Sequence, residues 1–436
     1  MMPQTLATRL ALSLYMAFIN VMAPLAVLPF LPFLLLIRKR RKTIFRRLGF
    51  QSYPGSYKSP IRPVWIHALS VGELLSTVPL IKELRAKLPS RPLYLSVSTL
   101  AAHEIAAEKT GAYVDGLFYF PYDLLLPVRR CLHRIRPALF LLIETDIWPG
   151  FLAQVRHRRI PCFLLNGRLS PASFRISRLL SVLFVPAFNT FARIYPQSPE
   201  EAERFLGLGM EAQKIHRTGN LKFDLAGALP SPETVAKLRR DLGLDREDRV
   251  LLAGSTHAGE EAMLRSTFLA LRQHCPELKL VIVPRHPHRA AEVQGLFGND
   301  PVRVFRLTQG ARSPADVIVV DVMGLLSILY ALADVAFVGG SLVGKGGQNP
   351  IEPAAAGKPV LFGPDMSDFP DVSRLLIEAG GAIQVQNMAE LLEQCGRLFE
   401  DRELAKTMGR RARAIVDEHQ GASQKIAADI AAFLEE

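Results

Sequence analysis

The sequence predicts an α/β protein of two Rossmann-like domains, each a doubly wound parallel sheet, facing across a cleft and preceded by a membrane-anchor helix. Three observations predict this. From Arg62 onward, short apolar runs alternate with amphipathic stretches. The alternation pauses at Gly227–Pro232 (GALPSP), a Gly/Pro segment suited to an interdomain linker, and then restarts. An uncharged apolar stretch from Leu10 to Ile37 precedes a strongly basic one. A chain of 436 residues is also too long for one ordinary core and suits two of about 200 residues.

In chain order, the apolar stretch LALSLYMAFINVMAPLAVLPFLPFLLLI comes first. As a helix it would span ~42 Å, more than the roughly 30 Å of a hydrocarbon core. A secretory signal would carry its charge before a shorter apolar core; here RKRRKTIFRR (Arg38–Arg47) follows it. The positive-inside rule keeps that flank, and everything after it, in the cytoplasm. Pro24, Pro29 and Pro32 are expected to kink the helix or make its second half interfacial. The first domain then reads as strands at Val64–Leu69, Leu93–Thr99, Ala138–Glu144, Cys162–Asn166 and Arg193–Gln197. Helical patterns lie between them at Leu74–Leu88, Ala101–Lys109, Leu126–Ile135 and Ile147–Arg158. The second domain reads as strands at Val250–Gly254, Leu280–Pro284, Val302–Leu307, Val317–Asp321, Val335–Val338, Pro359–Gly363 and Ala382–Val385, with a charged helical tail from about Met388. The expected division is 1–47 anchor and basic flank, 48–226 N-terminal domain, and 227–436 C-terminal domain with the tail.

Composition narrows the function classes. Hydrophobic residues at 49% with 22% charged exclude a disordered chain. Cys131, Cys162, Cys275 and Cys395 form no CxxC, which excludes a zinc ribbon or disulfide framework and fits a reducing compartment. The net charge of +12 is partly local, since Arg38–Arg47 holds seven basic residues and no acidic one, and points to a membrane surface more than to a nucleic-acid groove.

Several strand ends carry chemistry. Ser70-Val71-Gly72-Glu73 follows the first strand, and Glu73 falls in the first turn of the next helix. Either it complements the helix dipole, or it projects into the cleft as a base kept ionised by that terminus. His67 is a rival base, or a satisfied core histidine. Glu144 and Asp146 (ETDIWP) end another strand; a metal-holding pair and an acidic helix start with Asp146 as cap both remain open. Lys222 is the cation of GNLKFD. Gly254-Ser255-Thr256-His257 could receive phosphate oxygens or simply cap a helix. Arg285 and Arg289 of PRHPHR offer bidentate forks. Gly339-Gly340-Ser341 and Gly346-Gly347-Gln348-Asn349-Pro350-Ile351-Glu352 place paired glycines before a helix that Asn349 caps at Pro350. That geometry makes a ready anion site, with Glu352 placed for ribose hydroxyls. Neither a Walker A loop nor GxGxxG is present, so ATPase and dehydrogenase chemistry find no support.

Taken together these segments resemble the Kdo (3-deoxy-D-manno-octulosonic acid) transferases of lipopolysaccharide synthesis. The matching segments are WIHALSVGE (Trp65–Glu73), ETDIWP (Glu144–Pro149), NGRLS (Asn166–Ser170), TGNLKFD (Thr218–Asp224) and STH (Ser255–His257) with its following acidic pair. PRHPHR (Pro284–Arg289), DVMG (Asp321–Gly324), FVGGSLV (Phe337–Val343) and GGQNPIEP (Gly346–Pro353) complete the set, in family order. The resemblance implies a GT-B fold and inverting transfer of Kdo from CMP-Kdo to a lipid A precursor of the lipid IVA type. It implies no metal and no other cofactor, and no nucleic-acid partner. It makes Glu73 the general base, gives Glu144 and Lys222 transition-state roles, and assigns the nucleotide to Pro284, Arg285, Met323, Gly324, the position of Leu325, Asn349, Pro350, Ile351 and Glu352. It further implies an inner-membrane protein with a single-pass N-terminal anchor and a cytoplasmic catalytic part.

The chain departs from the family pattern at four places. Leu325 stands where a carboxylate is usual, Gln348 replaces the usual His, Asp146 replaces a Glu and Gly150 an Asn. A GT-B enzyme using another nucleotide sugar, and a catalytically silent lipid-binding paralogue, are the alternatives these departures keep open.

Overall fold

The computed structural model describes residues 6–27, 29, 38–54, 61–226, 230–309 and 315–436. The chain divides into two compact units, Met1–Asp224 with Gln420–Glu436, and Leu225–His419.

The sheet of the first unit is wholly parallel. Its strands are β1 (Val64–Ala68), β2 (Leu93–Val97), β3 (Gly116–Tyr119), β4 (Leu139–Ile143), β5 (Cys162–Gly167) and β6 (Arg193–Pro196), in the order β3-β2-β1-β4-β5-β6. Parallel strands covered on both faces read as continuous apolar runs, and β1, β2, β4 and β5 are buried at every residue. Trp65 packs on one face with Phe118, Phe120, Phe140 and Phe151, at ring separations of 5.4, 5.9, 4.9 and 5.4 Å. Val64, Ile66 and Ala68 face the other core. Edge strand β3 escaped the sequence reading: it is four residues long and begins on Gly116, which leaves only the short run Leu117-Phe118-Tyr119 to mark it. Val64 is in register with both Leu93 and Leu139, so β1 lies between β2 and β4. The direction of winding reverses between β1 and β4. At such a switch point the connecting loops diverge and leave a crevice at the carboxyl ends.

The last helix, Ala422–Glu435, departs from the expected division, which placed 227–436 in one domain. Ile426, Ala427 and Ile430 are fully buried in the core of the first unit, where each isoleucine contributes roughly 1.5–3 kcal/mol. Both carboxylate oxygens of Asp224 accept from its first turn, at Gly421 N (2.7 Å) and Ser423 N (2.6 Å). Arg193 and the Tyr195 hydroxyl both donate to Asp429.

In the second unit all seven expected strands are present and parallel: β7 (Arg249–Thr256), β8 (Leu278–Pro284), β9 (Val304–Arg306), β10 (Val317–Val319), β11 (Val335–Val338), β12 (Val360–Phe362) and β13 (Ala382–Gln384). Their order is β13-β12-β11-β7-β8-β10-β9, which puts the reversal between β7 and β11. Of the expected linker, residues 227–229 lie outside the described residues; Ser231 then caps the helix Pro232–Asp241.

At the N-terminus, Leu6–Ala26 is helical, has no fully buried residue among those described, and is long and apolar enough to cross a membrane. Residue 28 and residues 30–37 of the expected apolar stretch, Pro32 among them, lie outside the described residues. Pro24 falls in the first turn of the helix Ala23–Val27, where its missing N–H is tolerated, and a wider π-type turn at Phe18–Met22 precedes it. The Tyr15 hydroxyl donates to Asp123 (2.7 Å), and Asn20 Oδ1 accepts from Leu125 N (2.7 Å), so the helix is tied to the first unit. Arg38–Arg47 forms a helix of its own.

Candidate active site

Ser70 ends β1's loop and caps the helix Val71–Lys87, its Oγ accepting from Glu73 N (3.3 Å). The Glu73 carboxyl turns back on the cap: Oε2 accepts from Leu69 N (2.6 Å) and Oε1 from the Ser70 hydroxyl (3.3 Å). The capping reading is therefore geometrically correct, yet the same carboxyl lines a cavity of about 520 Å³. The helix terminus does not by itself set the ionisation of Glu73. Burial, and then the nearby Glu144 carboxylate, push its pKa up to about 7, against the lowering effect of the Leu69 N–H. Only 9% of the residue is exposed. Such a group accepts or releases a proton near neutrality.

Glu144 follows β4 in the left-handed region, at φ 55°. For a residue with a Cβ this costs on the order of 1–2 kcal/mol; its N–H is held by Leu165 O (2.8 Å). Asp146 is not a helix cap. It accepts from Trp148 Nε1 (2.7 Å) and lies 3.6 Å from His67 Nε2. His67 is fully buried, stacked on Phe120 at 3.8 Å, with Nδ1 3.0 Å from the Ser96 carbonyl. Burial lowers its pKa, so the ring is a neutral core element and not a base open to substrate.

Lys222 reaches the same place from the short turn Leu221–Leu225, with Nζ 3.9 Å from Glu144 Oε1. Three buried amides hold that turn. Asn166, itself at φ 54°, accepts from Leu221 N through Oδ1 (3.0 Å); Gln197 Nε2 donates to Asn166 O (3.1 Å); and Asn220 Oδ1 accepts from Lys222 N (2.9 Å). The structure thus gathers Glu73, Glu144, Asp146 and Lys222 at the β1–β4 switch point. The cavity has further walls that the sequence reading missed: Arg168, the Ser170 and Ser173 hydroxyls, and an apolar side formed by Ile176, Phe184 and Phe188. The NGRLS segment was the only signal for them.

In the second unit the β7 and β11 ends meet closely: a Cβ on Gly339 would lie 2.5 Å from Ser255 O, and Gly340 has φ +72°. These glycines serve backbone packing, and the expected anion site at their amides is already filled from within. Buried Glu260 accepts from His257 N (2.9 Å), Gly340 N (2.8 Å), Ser341 N (3.0 Å) and Leu342 N (3.1 Å). Arg289 is likewise engaged, with Glu261 at 2.7 Å and Glu292 at 2.8 Å. Arg285 is exposed, and its guanidinium pairs with no side chain among the described residues. Its backbone N donates to Thr256 O (2.9 Å), Gln348 Nε2 lies 3.4 Å from His257 Nε2, and His257 and His286 rings are 6.1 Å apart. The loops after β7, β8 and β11 therefore adjoin. Asn349 Oδ1 accepts from Ile351 N (3.0 Å) and its Nδ2 donates to Glu352 (3.2 Å). Pro350 precedes a helix of only Ile351–Ala355, too short to supply much of the dipole expected there. Burial raises the Glu352 pKa. Met323 is exposed, Gly324 has φ +89°, and Leu325 packs into an apolar cluster. Among the described residues no group of three or more His, Cys, Asp or Glu is placed to hold a metal ion.

The family described as 3-Deoxy-D-manno-octulosonic-acid transferase (kdotransferase) matches residues 42–225. The 3-deoxy-D-manno-octulosonic acid transferase of Haemophilus influenzae is 31% identical, over 91% of this chain and 92% of its own length. That of Bordetella pertussis is 32% identical, over 83% and 85%. Among solved structures, the UDP-GlcNAc 2-epimerase of Neisseria meningitidis superposes with a TM-score of 0.55 at 14% identity, covering 82% of this chain and 99% of that one, a likeness of fold alone. With two Rossmann-like units of the GT-B class and relatives matched along nearly their whole length, the chain belongs to the Kdo transferase family of glycosyltransferases.

Proposed function

We propose that this protein transfers Kdo from CMP-Kdo to a hydroxyl of a lipid A precursor of the lipid IVA type, with inversion, in lipopolysaccharide synthesis. The observation that carries the proposal is the Glu73 carboxyl lining the cavity beside Glu144 with its pKa raised to about 7. In the step, the acceptor oxygen forms a bond to the anomeric carbon, the bond from that carbon to the CMP phosphate oxygen breaks, and CMP departs with the electron pair. Glu73 takes the hydroxyl proton. Glu144 opposes the positive charge that builds on the oxocarbenium-like sugar, and Lys222, paired with Glu144, keeps that carboxylate in place. The nucleotide is held by Pro284 and Arg285, by Met323, Gly324 and Leu325, and by Asn349, Pro350, Ile351 and Glu352. The apolar helix Leu6–Ala26 and the basic flank Arg38–Arg47 support an inner-membrane protein, anchored by a single N-terminal pass with its catalytic units in the cytoplasm.

CMP release with CMP-Kdo and a tetraacylated lipid A precursor tests the proposal. Turnover by the wild type and its loss in Glu73→Gln are expected; equal rates would remove Glu73 from its role. Leu325 and Gln348 favour a second reading, a transferase for another nucleotide sugar. Thermal shift against CMP, UDP and GDP separates the two, since stabilisation by UDP alone would reject CMP-Kdo as donor.

A further inference from the structure

The cavity of the first unit is acidic at Glu73, Glu144 and Asp146, and Arg168 is the one basic residue on its lining among the described residues. An anionic substrate would be repelled from such a cavity unless a cation met it. Arg168 is available for that purpose: among the described residues no side chain forms an ion pair or hydrogen bond with its guanidinium. Its backbone, in contrast, is fixed. Arg168 N donates to Thr145 Oγ1 (2.9 Å), and that hydroxyl donates to Arg168 O. Thr145 lies between Glu144 and Asp146, so the clamp sets the arginine against the acidic group without joining it to any carboxylate. Two hydroxyls line the same cavity, with Ser170 Oγ and Ser173 Oγ 2.9 Å apart. The wall at Ile176, Phe184 and Phe188 is apolar.

We propose that Arg168, with Ser170 and Ser173, binds a phosphate monoester carried by the acceptor itself, while the acceptor's acyl chains lie along the apolar wall. The assignment rests on the reading of this cavity as the acceptor site served by Glu73. A guanidinium offers two parallel donors to phosphate and stays charged at every working pH. The apolar wall on the same cavity favours a ligand that joins an anion to hydrocarbon, and so selects the lipid over the donor sugar's carboxylate.

The full-length protein in neutral detergent is assayed with a tetraacylated lipid A precursor and with the same lipid after phosphatase treatment. Losing a charge-assisted pair predicts a KM for the phosphorylated lipid about 10- to 100-fold higher in Arg168→Gln, with the KM for CMP-Kdo unchanged and Arg168→Lys in between. On the dephosphorylated lipid, wild type and Arg168→Gln should have equal kcat/KM. An equal loss on both lipids, or a rise confined to the KM for CMP-Kdo, would overturn the proposal. Equilibrium binding of the two lipids to Glu73→Gln separates the two claims. Preference for the phosphorylated lipid there supports the subsite even if Glu73→Gln turns over normally. Equal binding of both lipids to the wild type overturns the subsite whatever becomes of the base.

Discussion

Replacing Glu73 by glutamine removes one ionisable site and almost no volume, and the amide oxygen can still accept from Leu69 N. The effect on stability follows from the carboxyl's pKa, which the fold raises from 4.5 to about 7. An acid with a raised folded-state pKa stabilises the fold fully below its unfolded pKa, and that contribution is lost as pH climbs through the folded value. Between pH 4.5 and 7 the folded state binds the extra proton, so ionisation at higher pH works against the fold. A shift of that size corresponds to about 3 kcal/mol at pH 8 and less than about 1 kcal/mol at pH 5. Glu73→Gln should therefore be more stable than the wild type at pH 8, by up to about 3 kcal/mol, and nearly equal to it at pH 5, while its turnover falls about 10²- to 10⁴-fold. Denaturant unfolding followed by Trp65 fluorescence at the two pH values reads the first effect, since that indole is in the core of the same unit. Lower stability of Glu73→Gln at pH 8, or the same difference at both pH values, would refute the account of burial and Glu144 as the causes of the shift.

Three other outcomes follow from the same geometry. Wild-type kcat/KM should rise with pH to a midpoint near 7, and Glu144→Gln, by removing the second cause of the shift, should move that midpoint toward acid; a pH–rate profile in each protein checks this. Asn166→Ala frees the buried Leu221 N–H and loosens the turn bearing Lys222, so kcat should drop about tenfold with KM for the donor unchanged, whereas Asn166→Asp, which keeps the acceptor, should restore most of it. Glu260→Ala leaves four backbone N–H groups of the second unit unpaired and should cost it about 3 kcal/mol or more while raising the KM for CMP-Kdo; limited proteolysis and donor titration measure the two.

Both sheets were readable because strands buried on two faces leave uninterrupted apolar runs such as LFLLI (Leu139–Ile143) and LVIVP (Leu280–Pro284). The edge strand at Gly116–Tyr119 left no such trace. Periodicity also marked the last helix as amphipathic without saying which sheet its isoleucines cover; Asp224 and Asp429 decide that through contacts with distant residues. At the site, Glu73 and Glu144 could be singled out because each lies at or just beyond the carboxyl end of an apolar strand. The sign of the Glu73 shift could not, because the helix terminus is visible in sequence while the burial and the facing carboxylate that outweigh it are not. The glycine loop at Gly340 is a sharper case. Its amides look open to a phosphate until Glu260, 80 residues earlier, closes them. Arg168 was overlooked since a lone arginine after a strand has no pattern; its meaning comes from the walls around it.

The central claim is tested most directly by mass-spectrometric detection of Kdo-bearing lipid, with CMP counted in the same reaction, for wild type and Glu73→Gln at pH 8 with CMP-Kdo and a tetraacylated lipid A precursor. One CMP per Kdo transferred is expected from the wild type, and a loss of at least about 10²-fold in the variant, with lipid binding retained. Wild-type rates in the variant, or CMP release without any sugar on the lipid, would contradict it.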